Sequence, residues 1–200
     1  MAVSTLMLDF GPLHRREVSV QELAGGLDRE ALARITNEMC DLQLAAIEDA
    51  TDDDVVMMPD DPDAKDTYAA RPEEVGLVWT LGHVVVHTTA SSEESAALAL
   101  ILARGLPVEG RSRYEVPWER AQTAEFIRQR VQESRRMRLA MLDGWPEEPH
   151  LDNVYTPYPG RPPMNAVGRF LGGLAHDDSH LAQMHKIMAQ GHKARAAARP

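Results

Sequence analysis

Residues 171–187, LGGLAHDDSHLAQMHKI, determine the fold prediction because their apolar residues recur at helical spacing. A stripe with steps of three or four residues runs along one face and includes two histidines: Phe170, Gly173, His176, His180, Met184 and Ile187. Because the two histidines are four residues apart, their side chains point the same way, one turn above the other. The stretch therefore predicts a helix whose core-facing side carries two imidazoles.

A second stretch, WTLGHVVVH at residues 79–87, shows the same stepping, with Trp79 and His83 on one stripe. Burying neutral imidazoles without hydrogen-bond partners costs several kcal/mol, and a shared metal ion would remove that cost. Two histidines on one helix and one on a facing helix are a common way to build a metal site in a bundle. The alternative is that these histidines are core residues satisfied by backbone carbonyls or nearby acids. His87, one turn beyond His83, could be a fourth ligand, an acid–base group or a residue that hydrogen-bonds to a ligand without binding the metal.

Helix-forming residues and capping signals predict four main helices and no strands. The expected ranges are 29–50, begun by Asp28, then 72–104 and 117–143, each begun by a proline, and 165–190, ended by Gly191. A short leading helix follows from the capping-box spacing of Ser19 and Glu22. Two connections, 51–71 and 145–163, exceed the usual length of loops between neighbouring helices. The fold class is therefore an all-α four-helix bundle with long crossover loops.

The expected organisation is one domain with short extensions: an N-terminal arm and short helix at 1–24, the bundle at 25–190 and a flexible tail at 191–200. Two surface features are expected to be solvated. One is the acidic cluster between Asp52 and Asp63. The other is a set of arginines on the third helix: Arg128, Arg130, Arg135, Arg136 and Arg138. His185 lies off the histidine stripe and is expected to face solvent or a neighbouring chain.

Composition excludes several classes of function. The formal net charge of −10 opposes non-specific binding to nucleic acid, and no apolar run is long enough to span a membrane. The chain has a single cysteine, Cys40, so it can form no intrachain disulfide. Cys40 is expected to be a small buried hydrophobic residue. The first residues make a poor signal peptide, and together these features predict a soluble cytoplasmic protein.

The same two histidine stretches resemble those of the DinB/YfiT-like superfamily, which comprises metal-binding four-helix bundles and includes bacillithiol and mycothiol S-transferases. TLGHVVVH has a histidine after an apolar turn, and LGGLAHDDSHLAQMHKI is similar to the family's His-x-x-x-His followed by Gln and an apolar pair. The resemblance covers roughly residues 25–190 and implies three metal ligands, His83, His176 and His180. Ser179 stands where the family often has a further histidine. A homodimer is implied by the resemblance alone.

Three histidines leave at least one coordination position open, which is typical of catalytic sites. Zinc suits such a donor set best, and nickel or iron also accept it. The expected partner is a small-molecule substrate. The preferred hypothesis is a thiol-dependent S-transferase that acts on small electrophiles, with a low-molecular-weight thiol as co-substrate. The alternatives are a metal-dependent hydrolase of small esters or amides, and a non-catalytic metal-binding module in stress response or partner binding. Tyr155 and Tyr158, in the proline-rich connection, could contact substrate or simply anchor that loop.

Overall fold

The computed structural model describes residues 8–66, 72–109, 115–157 and 160–198. These ranges contain seven α-helices and no strand, only an isolated backbone pairing of Tyr155 with Met164. In chain order the helices are α1 (Gly11–His14), α2 (Val20–Leu23), α3 (Arg29–Ala46), α4 (Asp52–Val56), α5 (Leu81–Ala103), α6 (Ala124–Asp143) and α7 (Ala166–Ala197). Helices α3 and α5 each pack against both α6 and α7. The predicted all-α bundle is confirmed.

Side-chain caps fix where the long helices begin. Asp28 accepts a hydrogen bond from the backbone N–H of Ala31, and Ser19 and Glu22 form the expected capping box ahead of α2. The predicted starts of the two middle helices, at Pro72 and Pro117, were wrong. Pro72 opens a 3₁₀ turn (Pro72–Glu74), and another 3₁₀ turn follows Pro117 (Trp118–Arg120).

The real starts of α5 and α6 lie further along the chain, where threonine hydroxyls accept backbone hydrogen bonds. Thr80 caps α5 through the N–H of His83, and Thr123 caps α6 through the N–H of Phe126. As a result, Trp79 lies just before α5 rather than within a helix. Trp79 therefore approaches the histidines of α5 from the preceding connection.

Two apolar clusters form the core, and each takes residues from all four long helices. The first contains Leu32, Ile35, Leu102, Leu142 and Phe170, among others. The second contains Ile47, Val84, Val85, Ile127 and Met184, among others. Burial of these side chains is the main stabilising term. None of the helices in the described part of the chain has both the length and the apolar character of a membrane span.

The acidic segment after α3 is not the solvated loop that its composition suggested. Its first part is α4, in which Asp54 is 2% exposed, forms a capping box with Thr51 and pairs with Arg195. Further along, Asp61 pairs with Lys186 at 2.8 Å. Carboxylates on this segment therefore attach it to α7. Helix α7 in turn continues past Gly191 to Ala197, so the predicted helix end was wrong.

Gly191 is required by close packing rather than by a helix end. A Cβ atom at this position would overlap Oδ1 of Asp54, whereas a Cβ at Gly172, on the same helix, would have no heavy atom nearer than 3.8 Å. We therefore expect Gly191→Ala to lower the free energy of unfolding by about 1–3 kcal/mol. Gly172→Ala is the matched control and should raise it by about 0.5–1 kcal/mol. Urea unfolding of both variants measures this, and equal shifts would contradict the packing role.

Candidate metal centre

Three imidazoles converge between α5 and α7. One ring nitrogen each from His87, His176 and His180 lies within 4.8 Å of the others. The Nε2 atoms of His87 and His176 are 3.2 Å apart. The ring centroids of His176 and His180 are 4.7 Å apart, as expected for histidines one turn apart on a helix. Helix α7 therefore supplies two imidazoles and α5 supplies the third.

One of these rings is held by a hydrogen bond on the side away from the cluster, and a second ring faces a carboxylate there. Nδ1 of His180 lies 2.8 Å from Oε1 of Gln183, so an Nδ1–H that donates to this oxygen leaves the Nε2 lone pair free to bind an ion. Nδ1 of His87 lies 3.8 Å from a carboxylate oxygen of Glu115. Such outer acceptors orient histidine ligands and increase their basicity. Burial lowers the pKa of His180, which keeps that ring neutral at pH 7 as a metal ligand must be.

The arrangement fits a divalent transition metal. Two nitrogens bound tetrahedrally at a typical zinc–nitrogen distance lie about 3.3 Å apart, and the His87–His176 separation of 3.2 Å is close to that. Without an ion, the same distance allows one imidazole to donate a hydrogen bond to the other. Imidazole donors suit zinc, nickel and iron, whereas magnesium and calcium prefer oxygen ligands.

His83, which is expected as a ligand from the sequence, does not belong to this group of converging nitrogens. Its ring is stacked between Trp79, at a centroid distance of 4.5 Å, and Trp118, at 5.2 Å. Its Nδ1 is buried and has no hydrogen-bond partner among the described residues. His83 and His87 lie one turn apart on the same side of α5, and the structure brings His87 to the pair on α7. His83 as a ligand remains a prediction, and His87 is the competing assignment.

Trp79 forms an aromatic wall beside the three histidines. Its ring centroid lies 4.5 Å from that of His87, and it stacks on His180 at 5.8 Å. Trp79, Trp118 and Glu115 were missed as site residues. Trp79 lies within the stretch WTLGHVVVH that carries the histidines of α5. No sequence signal marked Trp118, which stacks on His83, or Glu115, which faces His87, and both come from the connection before α6.

The other candidate residues that the structure describes, Tyr155 and His185, have different surroundings. Tyr155 exchanges backbone hydrogen bonds with Met164 and packs against the first core cluster, which favours an anchoring role. Tyr158 lies outside the described residues. His185 is exposed, as predicted.

The environment of His83 predicts a pH effect on stability. Burial lowers its pKa from 6.5 to about 4, so the unfolded chain takes up this proton at a higher pH than the folded protein does. The stability that neutral His83 contributes is present above pH 6.5 and is lost as the pH falls towards 4. On acidification, the free energy of unfolding of the wild-type protein should fall by an amount on the order of 2 kcal/mol through this group, and His83→Gln should not show that part of the loss. Urea unfolding of both metal-free proteins at neutral and acidic pH measures this, and equal losses would contradict it.

Comparison with known proteins agrees with this geometry. The sequence profile of the DinB superfamily matches residues 27–184, which include all four long helices up to Met184 and the three clustered histidines. No curated protein and no solved structure gave a significant match. The match extends over most of the chain, and a helical bundle with a histidine cluster between facing helices is consistent with it. The chain therefore belongs to the DinB superfamily.

Proposed function

We propose that the protein is a metal-dependent enzyme that transfers a small thiol to an electrophile, with the ion held by His87, His176 and His180. The observation that carries the proposal is the convergence of three imidazole nitrogens within 4.8 Å. Imidazole ligands carry no charge, so a divalent ion held by these residues would keep its full charge and would lower the pKa of a thiol bound to it. Zinc is the first choice, with nickel or iron as alternatives.

The surrounding side chains have separate tasks in this proposal. Gln183 holds the ring of His180 by a hydrogen bond, and the carboxylate of Glu115 faces the Nδ1 of His87 at 3.8 Å. Trp79 packs its ring against His87 and His180 and so covers one side of the cluster. Together these residues keep the ligands in position before an ion or substrate arrives.

The reacting thiol must come from a small molecule, because the chain's own thiol is poorly placed. Cys40 is the sole cysteine and is completely buried. Burial raises the pKa of its thiol, despite the positive charge of Arg138 nearby. Since the thiolate is the reactive form, Cys40 is unsuited as a nucleophile. This favours a co-substrate thiol over a covalent intermediate on the protein.

The test is thiol dependence of the zinc-loaded protein. We expect an electrophile such as monobromobimane to be consumed above the uncatalysed rate only when a low-molecular-weight thiol is present. The rate should be abolished by a chelator and by His176→Ala, and unchanged in His185→Ala, which alters an exposed histidine on the same helix.

Two other results would replace this proposal. Turnover of an activated ester such as p-nitrophenyl acetate without any thiol would identify a hydrolase. Stoichiometric metal binding without turnover of either substrate class would indicate a non-catalytic metal-binding module.

A further inference from the structure

Arg138, Asp177, Ser92 and Cys40 form a buried polar hub inside the bundle. Arg138 on α6 is 1% exposed and Asp177 on α7 is 0% exposed. The guanidinium Nη1 of Arg138 donates to Oδ2 of Asp177 at 2.6 Å. Among the arginines of this helix, Arg130, Arg135 and Arg136 pair with acids closer to the surface, but the expectation of a solvated Arg138 was wrong.

The hub connects all four long helices. Ser92 on α5 lies 2.8 Å from Oδ1 of Asp177 and 3.0 Å from the carbonyl oxygen of Gly173. Nη2 of Arg138 donates to Sγ of Cys40 on α3 at 2.7 Å. Both carboxylate oxygens of Asp177 and two guanidinium nitrogens of Arg138 therefore have defined partners. A network of this kind has one well-satisfied arrangement, because any shift leaves a buried charge unpaired.

The hub is linked to the metal centre through α7. Asp177 directly follows His176, so the direction of the Asp177 side chain around the helix axis fixes that of His176. Close packing limits any compensating movement, since a Cβ on Gly173 would lie 2.7 Å from Cβ of Ser95 on α5. Apolar contacts alone would hold α7 less specifically, because they tolerate small rotations and slides that hydrogen bonds do not.

We infer that the Arg138–Asp177 pair is a positioning device that sets the rotation of α7 and so holds His176 opposite His87. This inference rests on the proposed metal centre and adds to it two residues that do not touch the ion. Its expected consequence is weaker and differently arranged metal binding when the pair is removed, even if the bundle remains folded. Loss of partners behind metal ligands typically lowers metal affinity about 10- to 100-fold.

The experiment is titration with Co²⁺, whose visible absorption reports the ligand geometry, at a temperature where circular dichroism shows each protein to be folded. The main variant is Arg138→Met/Asp177→Leu, which replaces the pair by apolar side chains. Asp177→Asn is a second variant, which keeps the side-chain shape if the double variant does not fold. Leu32→Ala is the control, because it removes packing in the first core cluster without altering the hub.

The hub variants should bind Co²⁺ about 10- to 100-fold more weakly with a changed absorption spectrum, and Leu32→Ala should match the wild type in both. The inference is overturned if a hub variant has the affinity and spectrum of the wild type, or if Leu32→Ala weakens binding equally. Failure of the wild-type protein itself to bind Co²⁺ would overturn the metal centre and this inference with it. The wild-type titration therefore separates the two failures.

Discussion

His87→Ala and His176→Ala are each expected to lose the metal ion, whereas His83→Gln should retain about one equivalent per chain. Each of the first two changes removes one of the three converging nitrogens, and the loss of one ligand should weaken binding about a hundredfold or more. His83 is instead packed between two tryptophans. Elemental mass spectrometry after gel filtration of zinc-loaded proteins measures the metal content.

The control for this experiment is His185→Ala, which removes an exposed imidazole from the same helix and should not change the metal content. The opposite pattern, with metal lost in His83→Gln and kept in His87→Ala, would restore the ligand set implied by the family resemblance. Absence of metal in the wild-type protein after zinc loading would refute the centre altogether.

Arg138→Met is expected to lower the free energy of unfolding by about 3–5 kcal/mol, because it leaves the carboxylate of Asp177 buried without its cation. The double variant Arg138→Met/Asp177→Leu should recover most of this loss, since a buried ion pair can often be replaced by apolar residues at little net cost. Stability and metal positioning are thus expected to separate in the double variant.

Urea unfolding of the metal-free proteins measures these differences. Arg136→Met is the matched control on α6, because its pairing with Glu133 is exposed and should contribute less than about 1 kcal/mol. If Arg138→Met lowers the free energy of unfolding no more than Arg136→Met does, the carboxylate of Asp177 is neutralised or paired in some other way.

Local signals in the sequence were sufficient for the existence of the four long helices, though not for all of their ends, and for part of the site. Helical spacing of apolar residues and caps such as Asp28 and Ser19 act over a few residues, so they can be recognised without knowing the fold. The pair His176 and His180 follows from the same periodicity, and the structure brings both to the cluster. Prolines were poorer guides, because a threonine cap further along the chain determined where α5 and α6 begin.

Tertiary structure alone decided which charged residues are buried and which histidine of α5 joins the cluster. Arg138 and Asp54 resemble surface residues in sequence, yet each is buried because a partner on α7, Asp177 or Arg195, meets it there. His83 and His87 share one side of α5, and helical periodicity cannot distinguish them. The choice depends on where α7 crosses α5 and on tryptophans contributed by connections between helices, which are long-range relations that no local pattern records.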